Sequence, residues 1–385
     1  MIDARVSILA AVVLWTGVVC ADDRPAKAPS AAARAELRKG YLLAPKAFRA
    51  AVNRVRPAMV AIEAFGGIAP VKKKGRGGAR PGDGPTTGLI VSADGYVLTS
   101  TYNLITRPPI ITVIRADGSR HVAKLVGRDD TRRICLLKID GDSGRMRRRR
   151  TIQGGVKDWP VAKYVPADSL RIGQWAVSAG LGLGSDPVIS AGVISAKNRI
   201  GGRAVQTDAN ISPVNYGGPL VDVEGNVIGL CVPINPRTND PSGGVEWYDS
   251  GIGFAIPLAE LTAVIDAMKA GKTVQPASLG VRVKDGEPGK PGVEVLDVVN
   301  GSAAAKAGLK KGDRILKLGG RTVATATELR FALARFMAGQ QAEIVTQRDG
   351  KQQTQSVTLD RGTAPKPPAA KTRRKIIPAK RPSRK

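Results

Sequence analysis

Between residues 87 and 257 the chain repeats one pattern, a short apolar or alternating run followed by a turn. TGLIVS, YVLTST, IITVIR, HVAKLVG and ICLLKI form one set of runs. QWAVSAG, VISAGVISA, AVQTD, GPLVDV, NVIGLCV and GIGFAIP form a second. Asp-Gly, Gly-Asn and Gly-Gly punctuate them, as turns punctuate short antiparallel strands. Two sets of about six strands predict two packed β-barrels.

The period changes outside this stretch. Residues 46–64 read as a helix running into a strand, with Pro57 ending the helical part. Residues 259–270 are amphipathic, with Leu261, Val264, Ile265 and Met268 at helical spacing. Beyond residue 277, LGVRV, GVEVLDV, RILKLGG, AEIVTQR and the alternation over 353–360 predict strands. A short helix is expected over 303–307, before Gly308. A longer one is expected over 325–336, with Thr325 and Glu328 at capping-box spacing and Leu329, Leu333 and Phe336 on one face. The fold class is therefore an all-β double barrel followed by a small α+β domain. Residues 66–85 and 141–160 read as loops.

Composition limits the chemistry. Of 385 residues, 60 are Lys or Arg and 32 are Asp or Glu, a formal balance of +28. Only 4% are aromatic, so the core must be mostly aliphatic. A single histidine excludes a multi-His metal site, and a His-based dyad or triad could be built only around His121. No cofactor is expected. Arg5, the uncharged run 6–19 and Val19-Cys20-Ala21 before Asp22 fit a cleaved export signal over residues 1–21. That run is short for a membrane span of ~20 residues. Cys135 and Cys231 could pair in an exported chain. Each sits in an apolar run, however, which favours two buried thiols.

Three stretches together resemble the HtrA/Deg-type exported serine proteases. They are TGLIVSADGYVLTSTYNLI (87–105), DDTRRICLLKID (129–140) and QTDANISPVNYGGPLVDVEGNVIGLCV (206–232), followed by GIGFAIP. SLGV and GSAAAKAGLKKGDRILKLGGRTV match the PDZ domain that follows in that family. The resemblance implies a trypsin-like double β-barrel over 46–270 and a PDZ domain over 277–360. A basic lead-in (22–45) would precede them and a disordered basic tail (361–385) would follow. It also implies a periplasmic or envelope location.

Three positions depart from the family's catalytic pattern. Counting along the matching motifs puts Tyr102 at the histidine position and Arg133 at the aspartate position. Tyr216 falls at the serine position, and Val214 replaces the glycine whose N–H helps hold the oxyanion. A phenol has a pKa near ~10 and needs a base to activate it. Arginine cannot accept a proton. These substitutions lead to the expectation of a chain without catalytic residues, an inactive protease-like protein. Tyr102 and Tyr216 are expected to pack together over the cleft, with Arg133 against an aromatic face; unconnected drift is the alternative.

The PDZ-like unit keeps what a peptide groove needs. By resemblance, Leu279, Gly280 and Val281 would receive a C-terminal carboxylate, and the helix bearing Leu329 and Leu333 would form the other wall. The partners implied are peptide C-termini and unfolded proteins, with a scaffold or chaperone-like role in envelope protein quality control. A PDZ fold serving only as a spacer is the plainer reading. Two further readings stand beside these: an endopeptidase with a displaced nucleophile, and an envelope protein that binds anionic polymers through Arg147 to Arg150 and the tail. No specific nucleic-acid motif is visible. The family also suggests a homotrimer built through N-terminal aromatics, with Tyr41 and Phe48 as candidates.

Overall fold

The computed structural model describes residues 30–66, 86–140, 158–182, 186–234, 250–286 and 291–362. Backbone proximity divides the chain into a short unit, Met1–Lys46, and a large one, Ala47–Lys385. The export signal, Arg147 to Arg150 and nearly all of the tail lie outside the described residues.

Helix α1 spans Ala31–Val55 and runs through Pro45. Pro45 lies inside the helix, since a proline there removes one backbone hydrogen bond and need not end it. Pro57 does end it, in a 3-10 turn over Arg56–Ala58 that leads into a strand.

Six strands close the first barrel. They are β1 (Met59–Phe65), β2 (Thr86–Ser92), β3 (Tyr96–Ser100), β4 (Ile110–Arg115), β5 (Arg120–Asp129) and β6 (Ile134–Ile139). Their order around it is β1-β2-β3-β6-β5-β4. The second barrel comprises β7 (Trp175–Leu181), β8 (Pro187–Asn198), β9 (Ala204–Thr207), β10 (Pro219–Val221), β11 (Val227–Cys231) and β12 (Gly253–Pro257). It closes in the order β10-β11-β12-β9-β8-β7. Val60, Ile62, Ile90, Val97 and Leu137 fill the first interior, and Ile194, Leu220, Ile228 and Ala255 the second. A third apolar layer joins them, formed by Met59, Leu89, Leu98, Val177 and Leu230 with Val52 and Val55 of α1. Closure leaves neither barrel an open edge. Helix α2, Thr262–Lys269, buries Val264 and Met268 in the same layer.

The C-terminal sheet runs β14 (Val281–Lys284), β15 (Val293–Val298), β16 (Arg314–Leu318), β18 (Gln341–Arg348), β19 (Lys351–Thr358), with β17 (Arg321–Thr322) beside β16. Helix α3, Ala303–Lys306, and helix α4, Ala326–Leu333, complete this unit. The Thr325–Glu328 capping box is present. Arg361 was expected in the tail. Instead it belongs to β20 (Asp360–Arg361), which pairs with β13 (Ala277–Ser278) and ties the unit's two ends together.

The unit is bonded to the barrels. Arg132, held by buried Asp129 at 2.6 Å, donates to the Ala334 carbonyl just beyond α4 at 2.8 Å. Arg335 meets Glu260 at 3.1 Å, and Arg321 bonds Asp168 at 2.5 Å. Gly202 lies where a side chain would collide with the Phe331 backbone on α4.

Candidate functional site

Two loops meet between the barrels. After β3 the chain makes a 3-10 turn over Thr101–Leu104, which Ser100 opens by accepting the Tyr102 N–H at 3.2 Å. In the second barrel a turn over Pro213–Asn215 precedes Tyr216, and Gly217 and Gly218 lead into β10. The Tyr102 and Tyr216 rings meet edge to face, 5.3 Å between centroids at 79°. Ring quadrupoles favour this geometry. Both phenols are buried within the second barrel's apolar cluster, so the first barrel sends Tyr102 into its neighbour's core.

Hydrogen bonds hold the two loops in register. The Asn103 amide donates to the Tyr216 carbonyl and to Thr99 Oγ1, each at 2.9 Å. Thr87 Oγ1 donates to the Val214 carbonyl at 2.6 Å and accepts the Leu181 N–H at 2.7 Å. Gly217 has φ +83, and a Cβ there would lie 2.2 Å from the Thr87 carbonyl oxygen. Only glycine suits that position. Asn103 and Thr87 were not singled out in the sequence. The available signal was slight, since Asn103 only ends the polar run that starts at Thr99 and Ser100.

Arg133 is buried just before β6 in a left-handed conformation, φ +60, and its carbonyl accepts the Thr101 N–H at 2.9 Å. Its backbone thereby supports the turn that carries Tyr102. The Tyr216 N–H donates to the Pro213 carbonyl at 3.2 Å, so it is engaged within its own turn. His121 stands elsewhere, on β5, edge-on to Trp159 at 5.1 Å. Cys135 and Cys231 are free and buried on separate barrels, and burial pushes each thiol up to about 12. Among the described residues no cluster of three or more His, Cys, Asp or Glu side chains is placed to hold a metal.

In the C-terminal unit Gly280 is left-handed, φ +76, and its carbonyl accepts the Val299 N–H at 2.9 Å. Leu279 and Leu329 are core residues. Val281 and Leu333 are half-buried and pack against the same core. Of the two N-terminal aromatics, Phe48 packs on Trp175 at 5.2 Å, and the side chain of Tyr41 lies outside the described set.

Residues 86–230 match the trypsin-like peptidase domain, and residues 277–359 match the PDZ domain. The chain is 35% identical over 288 residues to the "Probable periplasmic serine endoprotease DegP-like" of Marinomonas sp. (strain MWYL1), covering 71% of this chain and 56% of that one. A protein of the same description from Chlamydia trachomatis serovar D is 35% identical over 280 residues, covering 69% and 52%. Among solved structures, the HtrA-type protease AlgW with a tripeptide superposes with a TM-score of 0.56 at 27% identity, over 83% of this chain and 98% of that one. The same protease with a decapeptide gives 0.54 at 26% identity, over 83% and 99%.

The chain belongs to the HtrA/Deg family. Its members named here are called periplasmic, in agreement with the export expected from residues 1–21. They also correct one expectation. Tyr102, Arg133 and Tyr216 led to the reading of a non-enzyme, but these relatives are named serine endoproteases and HtrA-type proteases, and the family is one of enzymes. Substitutions read from one sequence address one geometry of attack and do not exclude another. The chain spans about half the length of the curated relatives it matches.

Proposed function

We propose that this HtrA/Deg protein captures peptide C-termini or unfolded protein segments in its PDZ groove, as part of protein quality control in the cell envelope. One observation carries the reading. β14 is the outer strand of its sheet, with the left-handed Gly280 loop at one end. An open strand edge supplies backbone donors and acceptors to an added strand, and a glycine loop can turn N–H groups toward a carboxylate. Asp285, one residue beyond β14, accepts the Ala326 N–H at 2.6 Å and holds strand and helix together at the far end.

The test is calorimetric titration of the full chain with peptides ending in apolar residues, as free acids and as amides. Capture of C-termini requires the free acids to bind more tightly. Equal affinity, or no binding, rejects it.

Family membership supports a second reading, serine-type endopeptidase chemistry from a displaced nucleophile. On this scaffold the Tyr216 N–H would have to leave the Pro213 carbonyl before it could hold an oxyanion. Incubation with unfolded casein and a Ser-directed phosphonate decides the matter: cleavage with labelling supports the reading, and neither rejects it. The half-buried Phe48–Trp175 pair, with Trp175 half exposed, would suit trimer assembly, which sedimentation of wild type against Trp175→Ser would reveal.

A further inference from the structure

The outward face of the C-terminal sheet carries an ordered set of charges. Arg314 on β16 stands opposite Glu294 on β15, and Glu294 stands opposite Lys284 on β14. Arg282, two residues earlier on β14, stands opposite Asp297. The ion pairs close at 3.0 Å for Lys284–Glu294 and 2.8 Å for Arg282–Asp297. The sign therefore alternates plus, minus, plus from β16 to β14, and there the sheet ends. Arg282 and Lys284 remain exposed, with 77% and 47% of their side chains accessible.

A strand added at this edge would obey the same pleat. Alternate side chains would fall on the face of Arg282 and Lys284, and those between them on the half-buried face of Val281 and Val283. Opposite charges on neighbouring strands stabilise a sheet and like charges destabilise it. Building on the peptide-capture reading, we propose that the groove selects acidic segments: extended peptides with Asp or Glu at two positions separated by one residue. The intervening residue is apolar, toward the core. General attraction to a chain of +28 would favour any acidic peptide whatever its spacing. The register makes the narrower demand.

Fluorescence anisotropy of the full chain tests it with labelled free-acid peptides that share one apolar C-terminal residue. One series carries Glu at two alternate positions, stepped along the peptide. Matched series carry Ser or Lys there, or Glu at two adjacent positions. The best alternate-Glu peptide is expected to bind on the order of tenfold more tightly than its Ser counterpart at low salt. The gain should shrink as salt rises. Arg282→Ser/Lys284→Ser should abolish it and still bind the Ser peptide. Ser peptides that bind while all four series bind alike overturn the acidic selection and leave peptide capture standing. Adjacent Glu matching alternate Glu, or a preference kept by the double variant, likewise overturns it. Absence of binding by every peptide overturns both.

Discussion

The Tyr102–Tyr216 contact joins the two barrels, and its strength can be measured. Each ring is almost wholly buried, and the edge-to-face geometry at 5.3 Å and 79° falls within the range where aromatic pairs couple by about 0.5–1.5 kcal/mol beyond area burial. The perturbation is Tyr102→Leu, Tyr216→Leu and the double variant, because leucine keeps apolar bulk and removes the ring. Each single change loses the ring contact and leaves a partly filled cavity, costing about 2–4 kcal/mol. The double variant should cost about 1 kcal/mol less than the sum, since the ring contact can be lost only once. Denaturant unfolding followed by tryptophan fluorescence is the assay. Among the described residues Trp159 and Trp175 are the tryptophans, one against each barrel and none in the PDZ unit, so the signal reports the barrel pair. Additivity within about 0.3 kcal/mol would mean that the two phenols are neighbours without coupling, and the barrel-joining role would fail.

Three further outcomes are expected. Gly217→Ala should destabilise the barrels by about 3–5 kcal/mol in the same assay, because alanine meets both a left-handed backbone and the Thr87 carbonyl. Burial raises the Glu260 carboxyl from 4.5 to about 7, so the folded chain holds a proton there that the unfolded chain has released. Stability should then fall as pH rises from about 4.5 to 7, by at most about 3 kcal/mol, the Arg321 and Arg132 charges opposing the shift, and Glu260→Gln should flatten that slope in thermal melts. Cys135 and Cys231, pushed up to about 12, should resist a thiol reagent at pH 8 and react only when denaturant is added; rapid labelling of the native chain would contradict their burial.

The barrels were legible because each strand announces itself twice, by an aliphatic run and by the turn dipeptide that ends it. The capping box at Thr325 was legible for a similar reason, since it is complete within four residues. Local rules failed where a distant partner decides the outcome. Ile200, a β-branched residue, adopts φ +53 in the loop after β8, two residues before the glycine that α4 overlies. No neighbour in sequence demands that. The Asn103 bond to Tyr216 spans 113 residues and the Arg132 bond to Ala334 spans 202. A motif can place Tyr102 and Tyr216 in one cleft, but it says nothing about the amide that fixes the distance between them.

The sheet edge shows how much a single irregularity can add. VRVK and VEVLDV read as alternating strands, and a straight antiparallel register that sets Lys284 against Glu294 would set Arg282 against Leu296. The register shifts between Arg282 and Val283, which leaves Leu296 as an extra residue on β15 and carries Arg282 to Asp297. That bulge turns one cross-strand ion pair into two, spaced as a pleated strand spaces its side chains. With Leu296 present the second ion pair therefore depends on the bulge, and deleting Leu296 should straighten the ladder while keeping Arg282 opposite Asp297 and Lys284 opposite Glu294. The same anisotropy panel should then still show the preference for two alternate acidic positions; a preference reduced to one would mean that the twist the bulge adds, and not the register alone, shapes the selection.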